Sequence, residues 1–271
     1  MEERKKYFCV VGPGKSGTTT LYNHIINNTQ VAYYSWKETN FLIEPERFQH
    51  SFDNLRKSLT NYREGADIID ASPEYYGMPA KVERNIELVP RLEYEVIAII
   101  GRRDPVDRLV SHIEHNISHG VEQRPLTQVL ENILEDKLED NDFYLMRHIR
   151  QEKTEVAFSR IFDRVYFFDV GVDGIDASDF LREQKIPAPE SGLITKKMNQ
   201  KYSPRFKILQ RLDTRPPRLL RVFGRFFSTN FKQAVRNRLR RANKVEFHPI
   251  GNDQTYAKEL AAQVIVKKEL E

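Results

Sequence analysis

Residues 12 to 19 read Gly-Pro-Gly-Lys-Ser-Gly-Thr-Thr, directly after the apolar run Tyr7-Phe8-Cys9-Val10-Val11. Glycines let backbone N–H groups approach an anion closely, Lys15 adds a mobile point charge, and Ser16, Thr18 and Thr19 add hydroxyl donors. Together they suit a phosphate or a similar oxyanion, with Gly14, Lys15, Ser16, Gly17, Thr18 and Thr19 as the candidate ligands. The spacing departs from that of nucleotide triphosphatases. Their loop needs a glycine five residues before Gly14-Lys15-Ser16, and that position is Cys9. The plain alternative is an ordinary glycine turn between a strand and a helix.

A second charged motif, Arg103-Asp104-Pro105-Val106-Asp107-Arg108-Leu109-Val110-Ser111, follows the apolar run 94–100. Asp104-Pro105 reads as a helix N-cap with proline at the first helical position. Arg103 at the strand end and Ser111 two turns into the helix can converge on one anion, guanidinium from one side and hydroxyl from the other. Arg108 and Asp107 read instead as a pair locking the strand–helix corner.

The elements that must position these residues follow from periodicity. Short apolar runs at 7–11, 31–34, 67–70, 94–100 and 164–169 alternate with helical patterns at 17–27, 44–62 (with a break), 79–90, 105–119, 126–136 and 141–162. Such alternation implies an α/β fold, a central parallel sheet of P-loop-like type flanked by helices. Ligands of such sheets bind beyond the carboxyl ends of the strands, which is where the glycine loop falls. The alternation stops near 186. The organisation expected is one domain over 1–271, with a core of about 1–185 and a basic, helical or loop-rich cap over 186–271.

With these motifs in order, the sequence resembles the sulfotransferases that use 3′-phosphoadenosine 5′-phosphosulfate (PAPS). Gly14-Lys15-Ser16-Gly17-Thr18-Thr19 resembles their 5′-phosphosulfate loop, and Arg103 through Ser111 resembles their 3′-phosphate motif. Lys37-Glu38-Thr39-Asn40-Phe41 is similar to the Lys-Glu-x-x-Phe segment of the carbohydrate (heparan-type) branch, and Ala71-Ser72-Pro73-Glu74-Tyr75 to its Ser-Pro-x-Tyr segment. Two positions depart from the pattern. Thr20 stands where some branches carry an adenine-stacking Trp, and Ile113 stands where an aromatic is common.

The resemblance implies PAPS as sulfuryl donor and a hydroxyl of a carbohydrate or glycolipid as acceptor. It makes Glu38 the base that takes the hydroxyl proton. Without it, Lys37 and Glu38 would read as an exposed charge pair. Lys15 is expected to neutralise the oxygen that leaves with the 5′-phosphate. Lys37, Glu74 and Tyr75 are expected to face the acceptor, although packing serves Glu74 and Tyr75 equally well. Lys197, in Lys196-Lys197-Met198-Asn199-Gln200-Lys201-Tyr202, is expected to cover the cofactor. His24, His112, His115 and His119 compete as bases but read as helix-surface residues. No clustered His/Cys or Asp-x-Asp pattern calls for a metal.

Composition sets outer bounds. Hydrophobic residues make up 39% of 271, enough for one good core. Cys9 is the single cysteine, so no intramolecular disulfide forms. No apolar run approaches a bilayer span and no leader precedes the first strand, which together lead to the expectation of a cytoplasmic protein. The net charge of +4 conceals an imbalance. From Arg205 to Lys244 thirteen Lys/Arg face one acid, Asp213, a net +12, so the remainder carries −8. That segment interleaves arginines with Leu219, Leu220, Phe223, Phe226, Phe227 and Phe231. It suits an anionic membrane surface, an acidic glycan, or a packed amphipathic helix with solvated arginines. A nucleic-acid partner is disfavoured because no binding module appears. Two other readings stay open at this level. One is a P-loop kinase-like phosphotransferase with a degenerate loop, and the other a nucleotide-binding interaction protein without catalysis.

Overall fold

The computed structural model describes residues 4–35, 37–139, 142, 145–146, 149, 151–195, 202–204, 244–246 and 254–270. Lys197 and residues 205–243, and with them nearly all of the basic segment, lie outside the described residues. The chain forms two compact units. The first takes residues 1–108 and 146–199, the second 109–145 and 200–271.

The first unit is built on a six-stranded sheet. Strands β1 (Lys5–Val11), β2 (Ala32–Tyr33), β3 (Ile68–Asp70), β4 (Tyr94–Arg102), β5 (Arg164–Val170) and β6 (Ile175–Asp176) lie in the order β2-β3-β1-β4-β5-β6. The pairings from β2 through β5 are parallel, and only the edge pair β5–β6 is antiparallel. This is the expected α/β architecture with a mostly parallel central sheet. β1 sits in the interior of the sheet because its side chains can be buried on both faces. Tyr7, Cys9 and Val11 join one apolar cluster, while Phe8 and Val10 join the other. Helices α1 (Thr18–Asn28) and α7 (Ser178–Glu183) supply Leu21, Ile25, Phe180 and Leu181 to the second face. Helices α2 (Phe52–Lys57), α3 (Pro79–Asn85) and α6 (Gln151–Ile161) supply Phe52, Leu55, Val82 and Phe158 to the first.

The helical pattern at 44–62 resolves into a 3-10 turn at Pro45–Phe48 and the short α2, because Ser51 caps a new start by accepting from the Asn54 amide at 3.4 Å. The pattern at 79–90 likewise ends as helix at Asn85 and tightens into a 3-10 turn, Ile86–Leu88.

Among the described glycines the least room for a side chain is at Gly101 on β4. A Cβ there would stand 2.5 Å from the Ser16 carbonyl oxygen, 2.6 Å from the Phe168 ring and 2.9 Å from Ser16 Cβ. The loop after β1 therefore lies directly on β4. Gly101→Ala should destabilise the fold by about 1–3 kcal/mol and distort the loop. Urea unfolding measures the first effect; an unchanged midpoint would contradict the close packing.

In the second unit, helix α5 (Leu126–Leu134) buries Leu126, Val129, Leu130 and Ile133. Helix α8 (Gln254–Leu270) buries Ala257, Leu260, Ala261, Val264 and Ile265, a three- and four-residue stripe in a run of strong helix formers. The two pack together. Lys267 Nζ donates to the last carbonyl of α5, that of Leu134, at 2.7 Å, and Asp136 pairs with Lys267 at 2.6 Å and Lys268 at 2.7 Å. Buried Asp142 and Glu122 hold Arg124. Strands β7 (Tyr202–Pro204) and β8 (Lys244–Glu246) form an antiparallel pair. Neither α8 nor this ribbon was among the elements expected from periodicity. Helix α4 (Pro105–Ser118) begins in the first unit and ends in the second. Among the described residues no helix is long and apolar enough to cross a membrane.

Candidate active site

β1 delivers the chain to the carboxyl edge of the sheet at Val11, between β3 and β4, and α1 leaves from Thr18. Residues 12–17 form the turn. Gly17 (φ 70°) is the N-cap of α1. No side chain caps that end, and no acid lies in its first turn. The positive end of the helix is thus left to face a ligand. Lys15 also takes a left-handed backbone, φ 69°. For a non-glycine residue this is strained, and such strain concentrates at functional positions. Ser16 is fully buried, and its Oγ has no hydrogen-bond partner among the described residues. A buried hydroxyl without a partner costs free energy unless a ligand supplies one.

Glu38 follows a residue whose side chain reaches the start of α1. Lys37 Nζ donates to Thr19 Oγ1 at 2.9 Å, tying the segment after β2 to the first turn of α1. Glu38 itself has φ 88°. The two residues expected to do chemistry, Lys15 and Glu38, therefore both sit in strained left-handed backbone. Burial pushes the Glu38 carboxyl above its ordinary range, Lys37 pulls it back and Asp70 pushes it further. Burial lowers the Lys37 ammonium, against the pull of Glu38 and Asp70.

Asp70, the last residue of β3, is buried and accepts four hydroxyls. Oδ2 takes Tyr7 at 3.1 Å, Thr39 at 2.6 Å and Tyr75 at 2.5 Å, and Oδ1 takes Ser72 at 2.7 Å. Sequence reasoning missed Asp70. The available signal was an acid closing an apolar strand at the ligand edge.

At the second motif the Asp107 amide donates to Asp104 Oδ1 at 2.8 Å, the expected N-cap. Arg103 Nη1 donates to the Lys15 carbonyl at 3.0 Å, so this arginine meets the glycine loop itself. Arg108 is buried beside the Tyr76 hydroxyl and hydrogen-bonded to it, and burial lowers its pKa. Ser111 is buried on α4 and belongs to the second unit.

Of the residues expected to face an acceptor, Lys37 reaches the glycine loop and Glu74 is half-buried. Tyr75 is fully buried with its hydroxyl held between Asp70 and the Leu42 amide, which is the packing alternative. His24 Nε2 meets the Pro187 carbonyl at 2.8 Å. His112, expected on a helix surface, is buried, whereas His119 is exposed. No group of His, Cys, Asp and Glu among the described residues could hold a metal ion. Burial pushes the Cys9 thiol well up, which leaves it unreactive.

Neither a protein-family model nor a curated protein matches the sequence. Solved structures do match. A sulfotransferase from Alicyclobacillus acidocaldarius aligns over 79% of this chain and 92% of its own, at 17% identity and a TM-score of 0.53. A sulfotransferase domain from the curacin biosynthetic pathway aligns over 73% and 80%, at 12% identity and a TM-score of 0.42. With its parallel sheet, interior first strand and glycine loop, the chain has the α/β fold of the Alicyclobacillus sulfotransferase.

Proposed function

We propose that this protein is a PAPS-dependent sulfotransferase acting on a hydroxyl of a carbohydrate or glycolipid. The observation that carries the reading is the 2.9 Å bond from Lys37 to Thr19, because it ties the segment that contains Glu38, an acid with a raised pKa, to the first turn of α1, beside the glycine loop. The acceptor class rests on the Lys-Glu-x-x-Phe and Ser-Pro-x-Tyr resemblance.

The loop suits the donor on two counts. Among the described residues the Ser16 hydroxyl lacks a partner, and the α1 N-terminus has no side-chain cap. PAPS, when bound, supplies a sulfuryl group on a phosphate leaving group. Gly14, Lys15, Ser16, Gly17, Thr18 and Thr19 would hold its 5′ end, and Lys15 would balance the charge that develops there. Arg103, with donors beyond the one spent on the Lys15 carbonyl, would hold the 3′-phosphate. The part of Ser111 in that grip rests on the sequence motif. Glu38 would accept the acceptor's hydroxyl proton. Lys197 and the basic segment 205–244 remain proposals from sequence, as cofactor cover and as an anionic-surface contact.

Thermal shift tests the donor class before any acceptor is known. At a hundredfold excess over Kd, adenosine 3′,5′-bisphosphate should raise Tm by about 5–10 °C, more than ADP or ATP does. Arg103→Ala should erase the preference for the bisphosphate over adenosine 5′-monophosphate. Equal shifts by ATP, strengthened by magnesium, would favour a kinase-like enzyme.

A further inference from the structure

Three consecutive backbone amides follow Glu38 and Thr39, and each donates to a hydroxyl. Asn40 N–H donates to Ser72 Oγ at 3.0 Å, Phe41 N–H to Thr39 Oγ1 at 3.1 Å, and Leu42 N–H to Tyr75 OH at 3.0 Å. Each of those hydroxyls in turn donates a hydrogen bond to the carboxylate of Asp70, at 2.7, 2.6 and 2.5 Å. The chain of donors runs one way, from amide to hydroxyl to carboxylate. Both carboxylate oxygens of Asp70 accept, so each hydroxyl, with its O–H aimed at Asp70, presents its lone pairs to an amide. The four residues are buried. Two further bonds hold the same stretch from outside, Arg47 to the Thr39 carbonyl at 3.1 Å and Asn85 to the Leu42 carbonyl at 3.0 Å. At its start the backbone takes two left-handed residues, Glu38 and Asn40, with Thr39 between them. A segment that strained keeps its shape only where its surroundings over-determine it.

We infer that Asp70 is the positioning residue of the site, setting the backbone at Glu38 through the three hydroxyls of Thr39, Ser72 and Tyr75. The inference rests on the reading of Glu38 as the base for its functional consequence, and on the hydrogen bonds alone for its structural one. Asp70 touches no substrate; it acts by fixing where the Glu38 carboxylate starts from. Asp70→Asn keeps the size but puts an N–H₂ where an acceptor stood. At least one hydroxyl must then turn round, and its amide loses a partner.

The first test needs no substrate. By residue-resolved amide exchange, Asp70→Asn should speed exchange at Asn40, Phe41 and Leu42 about tenfold, while amides of the β1–β4 pairing keep their rates. Single hydroxyl deletions cover the case in which Asp70→Asn does not fold. Ser72→Ala should release Asn40, Thr39→Val Phe41, and Tyr75→Phe Leu42, each most strongly at its own amide. Unchanged rates, or a uniform rise along the chain, would overturn the inference.

The second test uses release of adenosine 3′,5′-bisphosphate from PAPS with water as acceptor. Asp70→Asn should lower kcat about 10²-fold with KM for PAPS unchanged, and should add little when Glu38 is already Gln. Equal losses in both backgrounds would mark a general structural role and refute positioning. If Glu38→Gln alone is silent while the amides respond as expected, the assignment of the base fails and the clamp stands.

Discussion

Glu38→Gln should lower kcat about 10²–10⁴-fold while leaving the Tm shift given by adenosine 3′,5′-bisphosphate intact. The amide keeps the size of the side chain, but it cannot take a proton. The pH dependence should change with it. Burial raises the Glu38 carboxyl above the ordinary glutamate range, so the wild-type kcat/KM should climb with pH through a limb lying above that range, and the variant should lack the limb. The same shift fixes the sign of the stability effect. A carboxyl whose folded pKa is raised binds its proton more tightly in the folded state. Its contribution therefore falls as pH rises from the unfolded value through the folded one. Above that window Glu38→Gln should be at least as stable as the wild type. A variant that loses activity and stability together would point to a structural acid.

Lys15 separates the same two quantities. Lys15→Gly should reduce sulfuryl transfer about 10²–10³-fold, the scale of one lost electrostatic contact to the reacting group. Yet glycine accepts φ 69° freely, so without ligand the variant should melt no lower than wild type. Lys15→Ala removes the charge while keeping a Cβ in the left-handed region, and should be about 1–2 kcal/mol less stable than Lys15→Gly. Turnover together with urea midpoints of both variants decides the matter. Transfer at the wild-type rate in either would remove Lys15 from the chemistry.

What could be read in advance follows the range of each interaction. The strands and the glycine turn are local patterns, and β1, β4 and β5 appear where alternation placed them. So does the Asp104 cap, whose partner lies three residues away. The break expected within 44–62 is also local chemistry, and it falls at Ser51, whose hydroxyl caps the new start. The Asp70 cluster is different in kind, because its members at 7, 39, 70, 72 and 75 meet only when β1 and β3 pair and two loops fold over them. Lys37 could be singled out by motif, yet its partner Thr19 stands on another element. Arg103 was expected on an anion and also proves to bond the Lys15 carbonyl, a contact that depends on β4 lying beside β1. Helix α8 carries a regular stripe that could have been found, in a stretch with no motif to draw the eye.

The interior place of β1 also bears on how the molecule is made. It precedes its partners in the chain, since Lys5 pairs with Tyr94, and β4 in turn pairs with β5, where Ile97 meets Arg164. Parallel pairings at such separations close slowly and late. Until β4 has been synthesised, Tyr7 through Val11 is a sticky ribbon without that neighbour, the kind of segment chaperones shield. Nascent chains halted before Arg164 should therefore be captured by holdases and fail to bind nucleotide, whereas those extended past Val170 gain the last parallel neighbour that the cradle leans on.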